Sequence, residues 1–217
     1  EDEDGTLVPP MAFLPAAERY NLMPAIDRWV IGAALSAIGE HLRQQRDQRS
    51  LMCNINLSGA SLGEPGLQNY IDEQFALHQV PPSTVCFEIT ESVAIANLER
   101  AATFMHALRQ KGCRFALDDF GSGLSSFAYL KTLPVDYLKI DGVFVKDVAH
   151  DAVARAMVQA IHTVGHVMGI KTVAEYVENE PILAAIREIG VDYAQGYGIG
   201  YPRPMSECLQ QCGRKGG

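Results

Sequence analysis

Six short apolar segments rich in β-forming residues recur along the chain, and amphipathic segments with helical periodicity lie between most of them. This alternation favours strand–helix units, in which successive strands run parallel and the helices cover the sheet. It continues to the end of the chain without an internal linker. The predicted strands are residues 51–56, 84–89, 114–118, 137–140, 171–175 and 192–195, and the predicted helices include residues 24–46, 98–111, 152–168 and 181–189.

Each predicted strand ends on polar or charged side chains of a kind that strands rarely bury. In a parallel barrel the carboxyl ends of all strands open on one face, so these separate segments would bring their polar groups to one mouth. A single such residue indicates only a solvent-exposed strand end, whereas the whole set indicates a site. The residues are Asn56, Glu88, Asp118 with Asp119, Lys139 with Asp141, Glu175, and Gln195.

The composition excludes several classes of protein. The chain has 217 residues, with 18 Lys and Arg against 26 Asp and Glu, so its formal charge is −8. This acidic balance, without a basic cluster, argues against a nucleic-acid polymer as the main partner. The longest apolar stretches are interrupted within roughly ten residues, far short of the ~20 that span a bilayer. The five cysteines lack CxxC spacing and are expected to be reduced thiols of a cytosolic protein.

The carboxylates of the strand-end set form a hard, oxygen-rich ligand group that suits Mg²⁺ or Mn²⁺ better than zinc, with Asn56 as a neutral ligand. Crowded carboxylates need counter-cations, and two divalent ions about 4 Å apart, bridged by Asp118 or Asp119, would hold them ionised. Lys139 then either orients the attacking water or stabilises phosphate charge. The set predicts metal-assisted phosphoester hydrolysis. The alternative is an unrelated barrel site that acts on a carbonyl or a phosphosugar through Lys139 and Asp141.

A glycine-rich segment, residues 119–126, begins within the acidic pair. Its two glycines flank Ser122 and allow positive φ angles and close backbone approach. Such a segment is typical of a loop that closes over ions or substrate, but an ordinary turn uses the same residues. The residues alone leave both interpretations open.

The long N-terminal helix carries apolar residues that we interpret as a stripe facing the core. A groove for a partner helix is the other interpretation. The stripe consists of Trp29, Leu35, Ile38 and Leu42.

Several sequence blocks resemble the signature motifs of the EAL domain family and follow the order of that family. The resemblance covers essentially the whole chain. Tyr176 stands where the commonest form of the family has glycine. The blocks are residues 87–92 (FEITES), 117–123 (LDDFGSG), 138–141 (LKID), 174–178 (AEYVE), 195–197 (QGY), 56–58 (NLS) and the opening residues 5–10 (GTLVPP).

The resemblance implies two Mg²⁺ or Mn²⁺ ions in the site. Asn56, Glu88 and Asp118 are implied as ligands of one ion. Asp118, Asp119 and Glu175 are implied to lie around the second ion. The implied ligands coincide with residues of the strand-end set.

The resemblance also implies catalytic roles. Lys139 is implied to hold the nucleophilic water, with Gln195 nearby, and Glu175 belongs to the same catalytic group. Glu91 is implied to tether the loop of residues 119–126, which in the family couples the active site to dimerisation. The role of Glu91 comes from the resemblance alone.

Members of the EAL domain family are bacterial phosphodiesterases that open cyclic di-GMP to linear pGpG on a modified TIM barrel. The resemblance therefore implies this α/β fold, this substrate and a role in second-messenger signalling. It further implies a homodimer, upstream GGDEF-type or sensory domains, and a cytoplasmic location, including the cytoplasmic part of a membrane-anchored protein. The alternative is a catalytically impaired domain that binds cyclic di-GMP as a sensor or scaffold.

Six predicted strands are fewer than the eight of a closed barrel. We therefore expect residues 1–217 to form a single EAL-type barrel domain that is incomplete at its N-terminus and belongs to a larger protein. The Glu-Ala-Leu segment of the family, which supplies a metal-ligating glutamate, is expected just before Glu1. On its own the chain is expected to bind metal weakly and to turn over slowly.

Overall fold

Parallel strands form one curved sheet in the computed structural model of the chain, which describes residues 4–6, 8–44, 51–123 and 127–212. Within these ranges the strands lie side by side in sequence order, from β1 at one edge to β6 at the other. The predicted parallel arrangement of the strands is confirmed. The strands are β1 (Cys53–Asn56), β2 (Val85–Thr90), β3 (Arg114–Phe120), β4 (Tyr137–Ile140), β5 (Lys171–Ala174) and β6 (Tyr193–Ala194).

Helices connect the strands and pack on the convex face of the sheet. Two of the connecting helices begin at capping side chains, because Asp151 accepts hydrogen bonds from the amides of the first turn of one, and Asn179 does so for the next. Across the described ranges no helix combines the length and the apolar character that a membrane crossing requires. The helices are α1 (Pro10–Arg19), α2 (Met23–Gln44), α3 (Leu67–His78), α4 (Glu91–Ala96), α5 (Leu98–Arg109), α6 (Gly142–Val145), α7 (Ala152–Val167), α8 (Glu180–Ile189) and α9 (Met205–Cys212).

The two faces of the sheet differ because successive side chains of a strand point in opposite directions. On the convex face the rings of Phe87 and Phe115 lie 5.8 Å apart, and Phe104 of α5 packs 6.3 Å from Phe115. On the concave face Asn54 and Lys139 border a cavity of about 920 Å³. The core therefore lies under the helices, and the opposite face carries the polar groups.

The predicted stripe on α2 is correct only in part. Leu35 and Ile38 are fully buried and Leu42 packs against the core, but Trp29 is 72% exposed. An α-helix has 3.6 residues per turn, so Trp29 lies roughly 120° around the axis from Leu35. The prediction that Trp29 faces the core is wrong because its spacing does not place it on the buried face.

The four cysteines whose side chains are described are free thiols. Cys86 and Cys113 are buried. Burial raises the pKa of Cys113 to about 12, and burial together with the negative charge of Glu88 raises the pKa of Cys86. These two thiols are therefore protonated and unreactive at neutral pH. This agrees with the prediction that the cysteines are reduced thiols.

Candidate functional site

Lys139 on β4 lies among buried acidic side chains at the carboxyl edge of the sheet. Its Nζ lies 2.8 Å from Oε2 of Glu88 on β2 and 2.8 Å from Oδ1 of Asp118 on β3. The Oε1 of Glu175, directly after β5, lies 3.0 Å from the same Nζ. Lys139 is 3% exposed and Glu88 is 4% exposed. The structure thus brings together four separate strand ends, as the pattern of polar residues in the sequence predicts.

The charges in this group compensate one another. Burial alone would lower the pKa of Lys139, but the charges of Glu88, Asp118 and Glu175 outweigh it and raise that pKa above its usual value. Burial, together with the charge of Asp118, raises the pKa of Glu175 to about 7 despite the opposing effect of Lys139. Lys139 is therefore a cation at neutral pH, and Glu175 titrates close to neutral pH.

A bulge in β3 brings two consecutive carboxylates to the same site. The pairing of β3 with β4 shifts its register between Leu117 and Phe120, and Asp119 has a φ of +52°. Neighbouring residues of a regular strand point to opposite faces, and a bulge changes the direction of the side chains within it. The ligand oxygens of Asp118, Asp119 and Glu175 consequently lie within 4.8 Å of one another. Burial, followed by the charge of Asp118, raises the pKa of Asp119.

This group of three carboxylates fits a divalent cation by its donor chemistry. Asp118, Asp119 and Glu175 supply only oxygen ligands, which Mg²⁺ and Mn²⁺ prefer over the nitrogen and sulfur ligands typical of zinc. Glu175 is 8% exposed, so its charge needs a nearby cation. In the described part of the chain no other group of three or more His, Cys, Asp or Glu side chains shows this spacing.

The other implied metal ligands, Asn56 and Glu88, are paired opposite each other in the parallel register of β1 and β2. Asn56 is exposed. Glu88 is connected to Asp118 through Lys139. Asn54, which the sequence analysis does not single out, donates a hydrogen bond from Nδ2 to Oε1 of Glu88 at 2.6 Å. The signal that would have found Asn54 is the Asn-x-Asn spacing, which places two amides on one face of a strand.

Glu91, the first residue of α4, is buried and bound to both sides of the loop that follows β3. The backbone amide of Gly121 donates to Oε2 of Glu91 at 2.9 Å, and the hydroxyl of Tyr129 donates to Oε1. Residues 124–126, the last three of the predicted loop of residues 119–126, lie outside the described residues. Tyr129 is a contact that the sequence analysis missed, since nothing in the local pattern connects it to Glu91.

Gln195 follows β6 directly and lies at the edge of the acidic group. Its backbone amide donates to the carbonyl of Ala174 at 2.8 Å, which continues the pairing of β5 with β6. Gln195 borders the concave cavity of about 920 Å³ together with Lys139. It also borders a smaller cavity of about 300 Å³ together with Glu175. Gln195 therefore shares one cavity with Lys139 and another with Glu175, the two residues with which the resemblance groups it.

Tyr176, immediately after Glu175, has a φ of +53°, a conformation that costs a residue with a Cβ more than it costs glycine. Its ring occupies the space above Gly142, where a Cβ would approach the ring to 2.2 Å. The Nζ of Lys146 lies 4.3 Å from the centre of the same ring. Tyr176 thus connects the backbone beside Glu175 to the start of α6.

Comparison with known proteins extends these observations. The family model of the EAL domain matches residues 1–202 of the chain. The chain is 47% identical over 207 residues to "Cyclic di-GMP phosphodiesterase PdeB" of Shewanella oneidensis, an alignment that covers 95% of this chain and 24% of that protein. It is 35% identical over 209 residues to "Cyclic di-GMP phosphodiesterase PdeF" of Escherichia coli, covering 96% of this chain and 28% of that protein. The chain spans about a quarter of the length of these curated relatives.

Solved structures show the same architecture. The structure described as "PaMucR Phosphodiesterase, c-di-GMP complex" matches with a TM-score of 0.88 and 32% identity, over 96% of this chain and 83% of that one. The FimX EAL domain of Xanthomonas citri in complex with c-diGMP matches with a TM-score of 0.87 and 29% identity, over 94% of this chain and 79% of that one. These matches confirm the expected modified TIM-barrel fold, of which the curved six-stranded sheet is the greater part.

Proposed function

The chain belongs to the EAL domain family, and from this membership we propose that it hydrolyses cyclic di-GMP to linear pGpG in bacterial second-messenger signalling. The observation that carries the proposal is the meeting of strand-end acids around Lys139 at one edge of the sheet. The substrate is supported by relatives named cyclic di-GMP phosphodiesterases and by structural neighbours described as c-di-GMP complexes.

EAL phosphodiesterases depend on a metal, and we propose that two Mg²⁺ or Mn²⁺ ions bind here. Asp118, Asp119 and Glu175 would hold one ion, and Asn56, Glu88 and Asp118 the other. The proposal is supported by the three carboxylate oxygens that approach within 4.8 Å of one another. When bound, such ions supply Lewis-acid activation of water and neutralise phosphate charge.

The side chains of the chain itself position the reactants. The Nζ of Lys139, a cation at neutral pH, would turn one of the N–H groups that contact Glu88, Asp118 and Glu175 toward the attacking water, or toward a phosphate oxygen whose charge it stabilises. The water oxygen forms a bond to one phosphorus, the P–O3′ bond breaks, and the proton lost by the water is balanced by a proton on the released 3′ oxygen. One ester opens and the other stays intact. Gln195 is proposed to lie near this water, which is supported by the cavity that it borders together with Lys139.

The wider organisation of the protein is also a proposal. Residues 1–217 form one EAL-type barrel domain of a longer cytoplasmic or membrane-anchored protein with GGDEF-type or sensory domains, supported by relatives about four times as long. The chain acts as a homodimer, and Glu91 transmits dimerisation to the active site. Its contacts to Gly121 and Tyr129, on both sides of the loop after β3, support this role.

The proposed activity is tested with purified protein, Mn²⁺ and cyclic di-GMP, and the products are separated by chromatography. We expect slow formation of pGpG by the native chain, no product in EDTA, and a loss of at least about 100-fold in Lys139→Ala, since removal of one charge-stabilising donor costs on this order. Lys111→Ala, at a surface ion pair with Asp72, is the matched control and is expected to retain activity.

Binding is measured separately by calorimetry. Binding of cyclic di-GMP without hydrolysis would favour the alternative, a sensor or scaffold domain. Product formation that EDTA leaves unchanged would contradict the metal-dependent mechanism. Absence of both binding and hydrolysis would overturn the proposal.

A further inference from the structure

Asn54 faces the same side of β1 as Asn56, because side chains two residues apart in a strand point in the same direction. The register of β1 with β2 places Asn54 opposite Cys86, one step before the pair formed by Asn56 and Glu88. From this position the Nδ2 of Asn54 reaches Oε1 of Glu88 at 2.6 Å. Hydrogen bonds to a charged acceptor are shorter and stronger than neutral ones, and this contact has that character.

Glu88 is held on both of its oxygens. Its Oε2 accepts a hydrogen bond from the Nζ of Lys139 at 2.8 Å, while Oε1 accepts the hydrogen bond from Asn54. Because Glu88 is 4% exposed, water has little access to its carboxylate. A neutral amide on one oxygen and a cation on the other determine the plane of the carboxylate. Each oxygen keeps a second lone pair, which remains available to a metal ion.

Because Asn54 is exposed, its hydrogen bond to Glu88 is not a contact that packs the core. Asn54 is exposed on the concave face, where it borders the cavity of about 920 Å³ with Lys139. Loss of its amide therefore opens no cavity in the apolar core, which lies on the convex side around residues such as Phe87 and Phe115. The consequence of that loss falls on the orientation of Glu88.

We propose that Asn54 is a positioning residue that holds the carboxylate of Glu88 in the orientation required for metal binding. The proposal rests on the proposed function, in which Glu88 is a ligand of a divalent ion. Loss of a partner that orients a metal ligand typically costs 10–100-fold in metal affinity. Because Glu88 keeps its contact with Lys139, we expect the lower end of this range, about tenfold, for Asn54→Leu, which keeps the shape of the side chain and removes the donor.

Calorimetric titration with Mn²⁺ tests the proposal without substrate. We expect Asn54→Leu to bind Mn²⁺ about tenfold more weakly than the native protein, and Asn54→Gln, which keeps an amide donor on a longer side chain, to recover most of the affinity. Asn69→Leu, the same change at an exposed asparagine of α3, is expected to bind normally. An affinity of Asn54→Leu within twofold of the native value would overturn the proposal, as would Asn54→Gln binding as weakly as Asn54→Leu. If Asn54→Leu does not fold, Asn54→Ser removes the same amide.

NMR of the metal-free protein tests the contact itself. The side-chain NH₂ signal of Asn54, assigned by its loss in Asn54→Leu, is expected to shift in Glu88→Gln, and the signal of Asn69 is expected to stay in place. If the native protein binds Mn²⁺ but the Asn54 signal does not shift in Glu88→Gln, the result counts against the role of Asn54 and leaves the proposed function intact. If the Asn54 signal shifts in Glu88→Gln but the native protein binds no Mn²⁺, the hydrogen bond is present, and the result counts against both the proposed function and the metal role of Asn54.

Discussion

Replacement of Lys139 by methionine removes the cation that contacts Glu88, Asp118 and Glu175. Methionine keeps an unbranched side chain of similar length, so the packing of the 3% exposed side chain is largely preserved. The carboxylates then remain in a buried site without their counter-charge. We expect the metal-free protein to be strongly destabilised.

The size of the effect follows from the three distances of 2.8, 2.8 and 3.0 Å. At such separations each contact corresponds to about 6 kcal/mol of Coulomb energy at an effective dielectric constant of about 20. Much of this energy offsets the cost of taking the charges out of water. Removal of one partner from a buried ion pair nevertheless costs about 3–5 kcal/mol, because the remaining charge is uncompensated. We expect Lys139→Met to lower the free energy of unfolding by about this amount.

Urea unfolding in EDTA at pH 8, followed by circular dichroism, measures the loss. At this pH Glu175, whose pKa burial raises to about 7, is largely ionised in the native protein, whereas the variant must either bury its charge without a counter-ion or bind a proton far above the ordinary pKa of 4.5. The control is Lys111→Met, which breaks an ion pair with Asp72 that is about 40% exposed on both sides. Exposed pairs contribute about 0.2–1 kcal/mol, so this variant is expected to stay close to the native protein.

The pH dependence supplies a second check on Lys139→Met. A carboxyl group with a raised pKa binds its proton more tightly in the folded state, so stability falls as the pH rises from the ordinary value of 4.5 toward about 7. Removal of Lys139 raises the pKa of Glu175 further, so the deficit of the variant should grow between pH 5.5 and pH 8. A deficit below about 1 kcal/mol at pH 8, well short of the 3–5 kcal/mol expected for a buried pair, would refute this reasoning, as would a deficit that shrinks with rising pH.

Two further predictions concern stability. Gly142→Ala forces a Cβ to within 2.2 Å of the Tyr176 ring, so it is expected to cost about 1–3 kcal/mol in urea unfolding, and Tyr176→Gly in the same chain should restore most of the loss. Additive losses in the double variant would contradict the clash. Burial alone would raise the pKa of Asp192, but hydrogen bonds from Lys171 and Thr172 lower it. The ionised carboxylate of Asp192 therefore stabilises the fold at pH values above the ordinary pKa of a carboxyl group, and this stabilisation is lost as the pH falls through the lowered pKa. Asp192→Asn should therefore cost about 1 kcal/mol at pH 7 and progressively less in acid, and an equal loss at both pH values would contradict this account.

The positions of the strands could be predicted from the sequence, but their ends could not. The third strand was expected to end at residue 118, where the apolar pattern stops, yet it continues to Phe120. The hydrogen-bonded ladder passes through the bulge at the acidic pair, and the pattern of side chains does not record this. The sixth strand is confined to Tyr193–Ala194, the residues in register with Val173 and Ala174 of β5, whereas the prediction extended it from 192 to 195.

The sequence predicts those residues of the candidate site that are polar and lie at strand ends. Glu88, Lys139 and Glu175 are recognisable because each interrupts an apolar run where a strand stops. Asn54 lies inside a strand. Its spacing from Asn56 indicates only which face of the strand it takes, and the register with β2 shows that its amide faces Glu88. Whether a polar residue within a strand belongs to a functional site depends on which side chains the neighbouring strand places next to it.

The sequence by itself determined the alternation of parallel strands with helices and the carboxylates that meet at the sheet edge, because periodicity and strand-end polarity are local properties of the chain. Only the tertiary structure decided that a bulge brings Asp118 and Asp119 to the site together, that Lys139 contacts three carboxylates, and that Asn54 donates a hydrogen bond to Glu88. These relations depend on a bulge and on the registers between strands. Both arise from hydrogen bonds between segments distant in sequence, and no local pattern encodes them.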